Sequence, residues 1–151
     1  RIPVLIVPEE YQVEQPDSIL FATHHFEEDK ALLTAVTDMA RIFSATIHVV
    51  VFIDIDTADP VQYLENKHRL ERYLVFLTSA YPGISFKGAV IDGKDFENAI
   101  ELYHVQHETD MAALITYPKG FWEKIFHKSV TRKMAFHSTI PVLAIPFHEK
   151  E

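Results

Sequence analysis

Nine residues, ATIHVVVFI (45–53), limit this chain more than any other stretch. β-branched and aromatic side chains dominate it and hydrophobicity is nearly continuous, as expected of an interior parallel strand. A strand apolar on both faces needs neighbours on both edges and a covering layer on each side of the sheet. The rest of the chain must supply them.

Four further apolar runs have strand character, at SILFATH (18–24), SFKGAVI (85–91), MAALIT (111–116) and PVLAIP (141–146). Segments of helical pattern lie between them. The acidic EED at 27–29 starts the first, where negative charge complements the helix N-terminus, and Ala31, Leu32, Ala35, Met39 and Ile42 follow at helical spacing. A loop from Asp54 to Asp59 leads to Pro60, well placed at the first turn of a long helix through Ala80 that Pro82-Gly83 ends. DGKD (92–95) turns the chain into a helix carrying Phe96, Ile100 and Tyr103, and a last helix is expected over 129–137. Strands alternating with helices predict βαβ units: a doubly wound α/β domain with a five-stranded parallel sheet and helices on both faces. Its ligand cleft lies beyond the C-terminal ends of the strands.

The two ends of the chain repeat one another. RIPVLIVP (1–8) and TIPVLAIP (139–146) share Ile, Pro, Val, Leu and the closing Pro, five matching positions. A repeat at this interval reads as the tail of one module followed by a complete second module, and an opening Arg in place of Met reads as a domain boundary.

Composition excludes several classes. At 48% apolar and 24% charged the chain is globular rather than disordered. It has no cysteine, which removes disulfides, thiolate metal sites and thiol nucleophiles and suits a reducing cytoplasm. No apolar run approaches the length of a bilayer span, and no signal-peptide layout is present. Acids outnumber bases 22 to 14, for a formal charge of −8, which opposes nonspecific nucleic-acid binding. Lys119, Lys124, Lys128, Arg132 and Lys133 nonetheless crowd one stretch with Glu123 as its single acid, where an anion is welcome.

These residues also carry a resemblance. SILFAT, followed by an acidic helix start with an alanine-rich face, resembles the opening of the universal stress protein domain. GKDFENAI (93–100) is similar to that family's Gly-containing strand-to-helix turn, and KSVTRKM with STIPVLAIP, within 128–146, resembles its closing block. The similarity runs from Asp17 to Phe147 and implies an adenine-nucleotide alpha-hydrolase-like fold. It divides the chain into a relic last strand of a preceding domain (1–8), a linker (9–16), the domain proper (17–147) and a tail (148–151). On this resemblance the chain is the second half of a tandem protein. The last strand of such domains sits at the sheet edge and pairs with the same strand of a partner, and an exposed apolar edge must be covered. Residues 2–7 are therefore expected antiparallel to residues 140–145, within one chain or exchanged between two. Pro3 and Pro141 then fall at strand beginnings, where the missing N–H is tolerated.

Nucleotide-binding members of the family carry Gly-x2-Gly-x9-Gly-Ser/Thr after the fourth strand, because glycine lets the backbone approach phosphates and a helix N-terminus offers free N–H donors. The matching stretch here is YPKGFWEKIFHKSVT (117–131). Tyr117 stands where the first Gly belongs, Gly120 matches the second, and Lys128 stands at the third, two residues early. Ser129, Val130 and Thr131 keep the hydroxyl-bearing helix start. His24, followed by His25, replaces the Asp that ends the first strand in nucleotide-binding relatives. The residues this resemblance places at the cleft are Thr23, His24, Lys119, Gly120, Lys128, Ser129, Val130 and Thr131.

Each has a plainer reading beside it. Ser129 is an N-cap that needs no ligand, or its neighbouring N–H groups join Lys119 and Lys128 to hold phosphate or sulfate. Nine histidines suggest metal, with His104 and His107 at i, i+3 spacing, but no compact three- or four-ligand motif is written and surface imidazoles are the simpler account. His24, His25 and His127 have the right chemistry for acid–base work, yet no nucleophile elbow or placed carboxylate pair accompanies them. Glu27, Glu28 and Asp29 read as a helix-start acidic cluster, and Phe121, Trp122 and Phe126 as apolar anchors of the loop. The expectation is a non-catalytic, cytoplasmic stress-response domain with a degenerate nucleotide cleft and no cofactor or metal. It associates with another universal stress protein domain, in tandem or as a homodimer through the last strand, and not with nucleic acid or membrane. The alternative is an altered-site binder of ATP, AMP or another phosphorylated ligand.

Overall fold

The computed structural model describes residues 2–12, 14–117 and 139–147. In chain order the elements are β1 (Val4–Ile6), β2 (Ser18–Ala22), α1 (Lys30–Phe43), β3 (Thr46–Asp54), α2 (Pro60–Ala80), β4 (Phe86–Gly93), α3 (Phe96–His107), β5 (Met111–Thr116) and β6 (Val142–Pro146). They build one six-stranded sheet in the order β1-β6-β5-β2-β3-β4. β6, β5, β2, β3 and β4 are mutually parallel, and β1 closes the β6 edge antiparallel. The expected parallel five-stranded sheet and its antiparallel edge strand are both present. The helix expected over 129–137 lies outside the described residues.

The stretch 45–53 explains the architecture. β3 lies between β2 and β4 with residues 47 to 53 all buried, so its alternate side chains enter two different cores. Ile47, Val49 and Val51 join Ile19, Phe21, Ala113 and Ile115 beneath α1 and α2, while Val50 and Phe52 join Leu20, Ala22, Ala112 and Leu114 beneath α3. Two-residue periodicity along a doubly covered strand demands this partition.

Helix boundaries follow local chemistry. Pro60 opens α2 after Asp59, whose carboxylate takes the Gln62 N–H in a reciprocal capping box. Asp29 caps α1 by accepting from Ala31 N at 3.0 Å. Glu27 and Glu28 therefore precede the helix, and no acid lies in its first turn. The buried face of α1 is Leu32, Leu33, Val36, Thr37 and Ala40, while Ile42, which shares the spacing read from the sequence, is 70% exposed. At the N-terminal end of the sheet the Asp110 carboxylate accepts from Asp17 N at 2.8 Å and Ser18 N at 3.1 Å, tying the start of β2 to the start of β5.

Candidate functional site

Chain direction sets where a site belongs. From β2 the chain proceeds outward through β3 to β4, whereas β5 and β6 lie on the other side of β2. The order reverses between β2 and β5, so the crevice beyond their C-terminal ends is the switch point at which ligands bind in open α/β sheets.

Thr23 ends β2. Its N–H donates to Val50 O at 3.0 Å, and its hydroxyl accepts from Phe26 N at 3.0 Å. The second bond folds the chain back at once, with Phe26 at φ 53° in the left-handed region. This tight turn presents His24 and His25 at the crest, with their rings 5.1 Å apart edge to face. Tyr117, which follows β5, meets the turn from the opposite side. Its ring lies 5.2 Å from His25 and 5.0 Å from Phe147, and its hydroxyl donates to Glu27 Oε1 at 2.6 Å. From α2, Tyr73 donates to the Glu27 carbonyl and sets its ring edge against Phe26, while the Arg69 guanidinium lies 4.4 Å above the Phe26 ring. Residues 23–27 are thus clamped from both flanks.

The electrostatics follow from burial. Burial, then His25 and Arg69, push His24 below the ordinary imidazole value, which favours its neutral form. Burial pushes the Tyr117 phenol up, and its hydrogen bond to Glu27 adds to the shift. Burial followed by the Glu27 charge does the same for Tyr73. Both phenols therefore remain protonated donors holding Glu27. The arrangement offers hydrogen bonds and aromatic faces, and among the described residues no group of three His, Asp or Glu side chains is positioned for a metal ion.

Of the residues that the resemblance assigns to the cleft, Thr23 and His24 follow the C-terminal end of β2, beside the switch point. Lys119, Gly120, Lys128, Ser129, Val130 and Thr131 lie outside the described residues. His104 and His107 are at the other end of the sheet and do not act as a pair. His104 Nδ1 is 3.0 Å from the Thr109 hydroxyl, and His107 stacks on Tyr103 at 4.1 Å. Three residues have roles that sequence reasoning missed. Glu27 belongs to the clamp rather than to a helix start, Arg69 gave no signal, and His48 is a buried imidazole, 7% exposed, rather than a surface one. A polar residue in the midst of ATIHVVVFI was the available sign of the last.

The architecture is that of the universal stress proteins. UspA from Lactobacillus plantarum superposes with a TM-score of 0.67 at 18% identity, covering 88% of this chain and 99% of that one. The universal stress protein from Archaeoglobus fulgidus in complex with dAMP gives 0.63 at 14% identity, covering 87% and 99%. A longer universal stress protein from Archaeoglobus fulgidus DSM 4304 gives 0.61 at 13% identity, covering 99% of this chain and 51% of that one. No family model and no curated protein matches the sequence. At these identities the shared property is the fold, a UspA-like α/β domain.

Proposed function

We infer that the chain is a universal stress protein domain that works by association with another such domain, that it has no catalytic activity of its own, and that its nucleotide cleft is degenerate. The observation that carries this reading is Tyr117. Nucleotide-binding relatives have glycine at the matching position, and here a phenol bonded to Glu27 and packed on His25 and Phe147 stands at the switch point. A bulky anchored side chain takes up room that glycine leaves for phosphate. The tandem part of the reading draws support from the terminal repeat and from the Archaeoglobus chain of which this one covers 51%. A cytoplasmic setting accords with a cysteine-free sequence, and among the described residues no helix is long and apolar enough to cross a membrane.

The second reading is an altered-site binder of ATP, AMP or another phosphorylated ligand. A relative of the same fold from Archaeoglobus, in complex with dAMP, favours it, and Thr23 and His24 follow the C-terminal end of β2, the end at which open α/β sheets bind ligands. Calorimetric titration with ATP and AMP decides between the two. The first reading expects no saturable heat from the native chain and a gain of binding in Tyr117→Gly. Saturable binding by the native chain, abolished by Gly120→Val, would establish the second.

A further inference from the structure

The link from β1 to β2 and the turn from α3 to β5 enclose a cleft of about 650 Å³ at the N-terminal end of the sheet. Its charge is one-sided. Glu14 and Asp17 line it from the link and Glu108 and Asp110 from the turn, and among the described residues no lysine or arginine does. Asp17 N, Ser18 N and Ser18 Oγ all donate to Asp110 Oδ2, at 2.8, 3.1 and 3.3 Å, which fixes this carboxylate in place while Oδ1 takes none of these bonds. α3 ends at the same space, with Glu108 in the left-handed region at φ 51°, and adds the negative end of its dipole. Burial first, then Asp110 and Glu14, push the Tyr11 phenol up, so carboxylates from both sides of the cleft act on one ring.

The size and spread of the cleft select its ligand. A bare metal ion needs three or more ligands converging on one point, and among the described residues no three His, Asp or Glu side chains are so gathered. One exposed contact between a carboxylate and an ammonium group is worth little in water, so a single amine is held weakly. Several amines on one aliphatic chain meet several carboxylates at once. Tyr11, Val105 and Ile140 share the lining and give the intervening methylenes an apolar surface to lie on. We propose that this cleft is a binding site for a linear aliphatic polyamine, held between the β1–β2 link and the α3–β5 turn. The ligand ties the link to the body of the domain, at the opposite end of the sheet from the nucleotide cleft.

Spermidine is the probe, titrated by calorimetry into the intact chain at fixed ionic strength. One saturable site per chain is expected, weakening as salt rises. In amide-resolved spectra of the native chain the Tyr11, Ser18 and Asp110 N–H signals should shift. The Tyr11 N–H, which donates to Pro8 O at 3.1 Å, should also exchange more slowly with spermidine bound. Glu14 and Glu108 are exposed, and Glu14→Gln combined with Glu108→Gln should weaken binding about tenfold. Asp38→Asn combined with Glu65→Gln removes the same charge from exposed positions on α1 and α2 and should leave binding unchanged. Absence of saturable binding overturns the proposal, as do shifts confined to the Thr23–His24 end of the sheet. Equal weakening in the two double variants also overturns it, since the attraction would then belong to the acidic chain as a whole. Magnesium that binds the same residues as tightly at equal ionic strength overturns it too, because the cleft would then select charge and not a polyamine.

Discussion

His48 on β3 and Tyr103 on α3 share a 2.8 Å hydrogen bond, with both side chains buried. Burial first, then the neighbouring charges of Lys87 on β4 and His107 on α3, hold the His48 pKa below the ordinary imidazole value. The unfolded chain therefore takes up this proton more readily than the folded one near pH 6.5. Stability is complete above the unfolded value and declines as pH falls from there toward the lower folded value. His24 is shifted the same way and adds to the slope. Urea midpoints measured from pH 7.5 down to 5 should fall, and His48→Gln should flatten the dependence. An unchanged slope in that variant would remove His48 from the account.

Tyr117→Phe keeps the ring against His25 and Phe147 and deletes the bond to Glu27. A hydrogen bond to a carboxylate in a half-buried site is worth about 1–2 kcal/mol, so the variant should lose that much in chemical denaturation. Glu27→Ala should cost about the same, and the double variant should cost less than the two singles added together.

Tyr81 points the other way. Its hydroxyl is buried and finds no hydrogen-bond partner among the described residues, while its ring lies 5.9 Å beneath the Arg41 guanidinium. Tyr81→Phe retains the ring and removes an unsatisfied polar atom whose burial costs about 1–3 kcal/mol. The melting temperature should rise. A fall would mean that the hydroxyl is hydrogen-bonded in solution.

Asp110→Ala should loosen the N-terminal end of the sheet, since one carboxylate oxygen takes both Asp17 N and Ser18 N. Part of that region reaches solvent, so water replaces some of the loss and about 1 kcal/mol is expected. Asp110→Asn retains an acceptor and should recover most of it. Amide exchange at Ser18 reports the difference directly.

What could be read in advance was written locally. The interior strand at 45–53, the start of α2 at Pro60 and the break at Pro82-Gly83 depend on neighbouring residues, and Gly83 does adopt φ 88°. The buried face of α1 did not follow from apolar spacing. Thr37 belongs to it because its hydroxyl bonds back to Leu33 O at 2.9 Å and enters the core satisfied, whereas apolar Ile42 faces outward. The site was harder still. Tyr117 and Glu27 meet across 90 residues of sequence, and neither carries a local sign of the other. That the cleft lies beyond the C-terminal ends of the strands could be read from strand alternation, but the strand order that sets the switch point, and the side chains that fill it, are chosen by tertiary packing. The edge pairing was legible for a different reason: the chain spells the same strand twice.

That pairing also bears on the order of assembly. β2, β3 and β4 pair with neighbours in chain order, so α1 and α2 need only close short loops to bring them together. β5 must return to the far side of β2, and the contact of Val4 with Ala144 encloses nearly the whole polypeptide. Loop-closure entropy must be met before distant contacts stabilise anything, which delays such pairings. Folding should start in the β2–β4 half and finish when β1 settles on β6. In reverse, the molecule should fray from that edge first, so nascent and unfolding chains alike pass through a state with β6 uncovered.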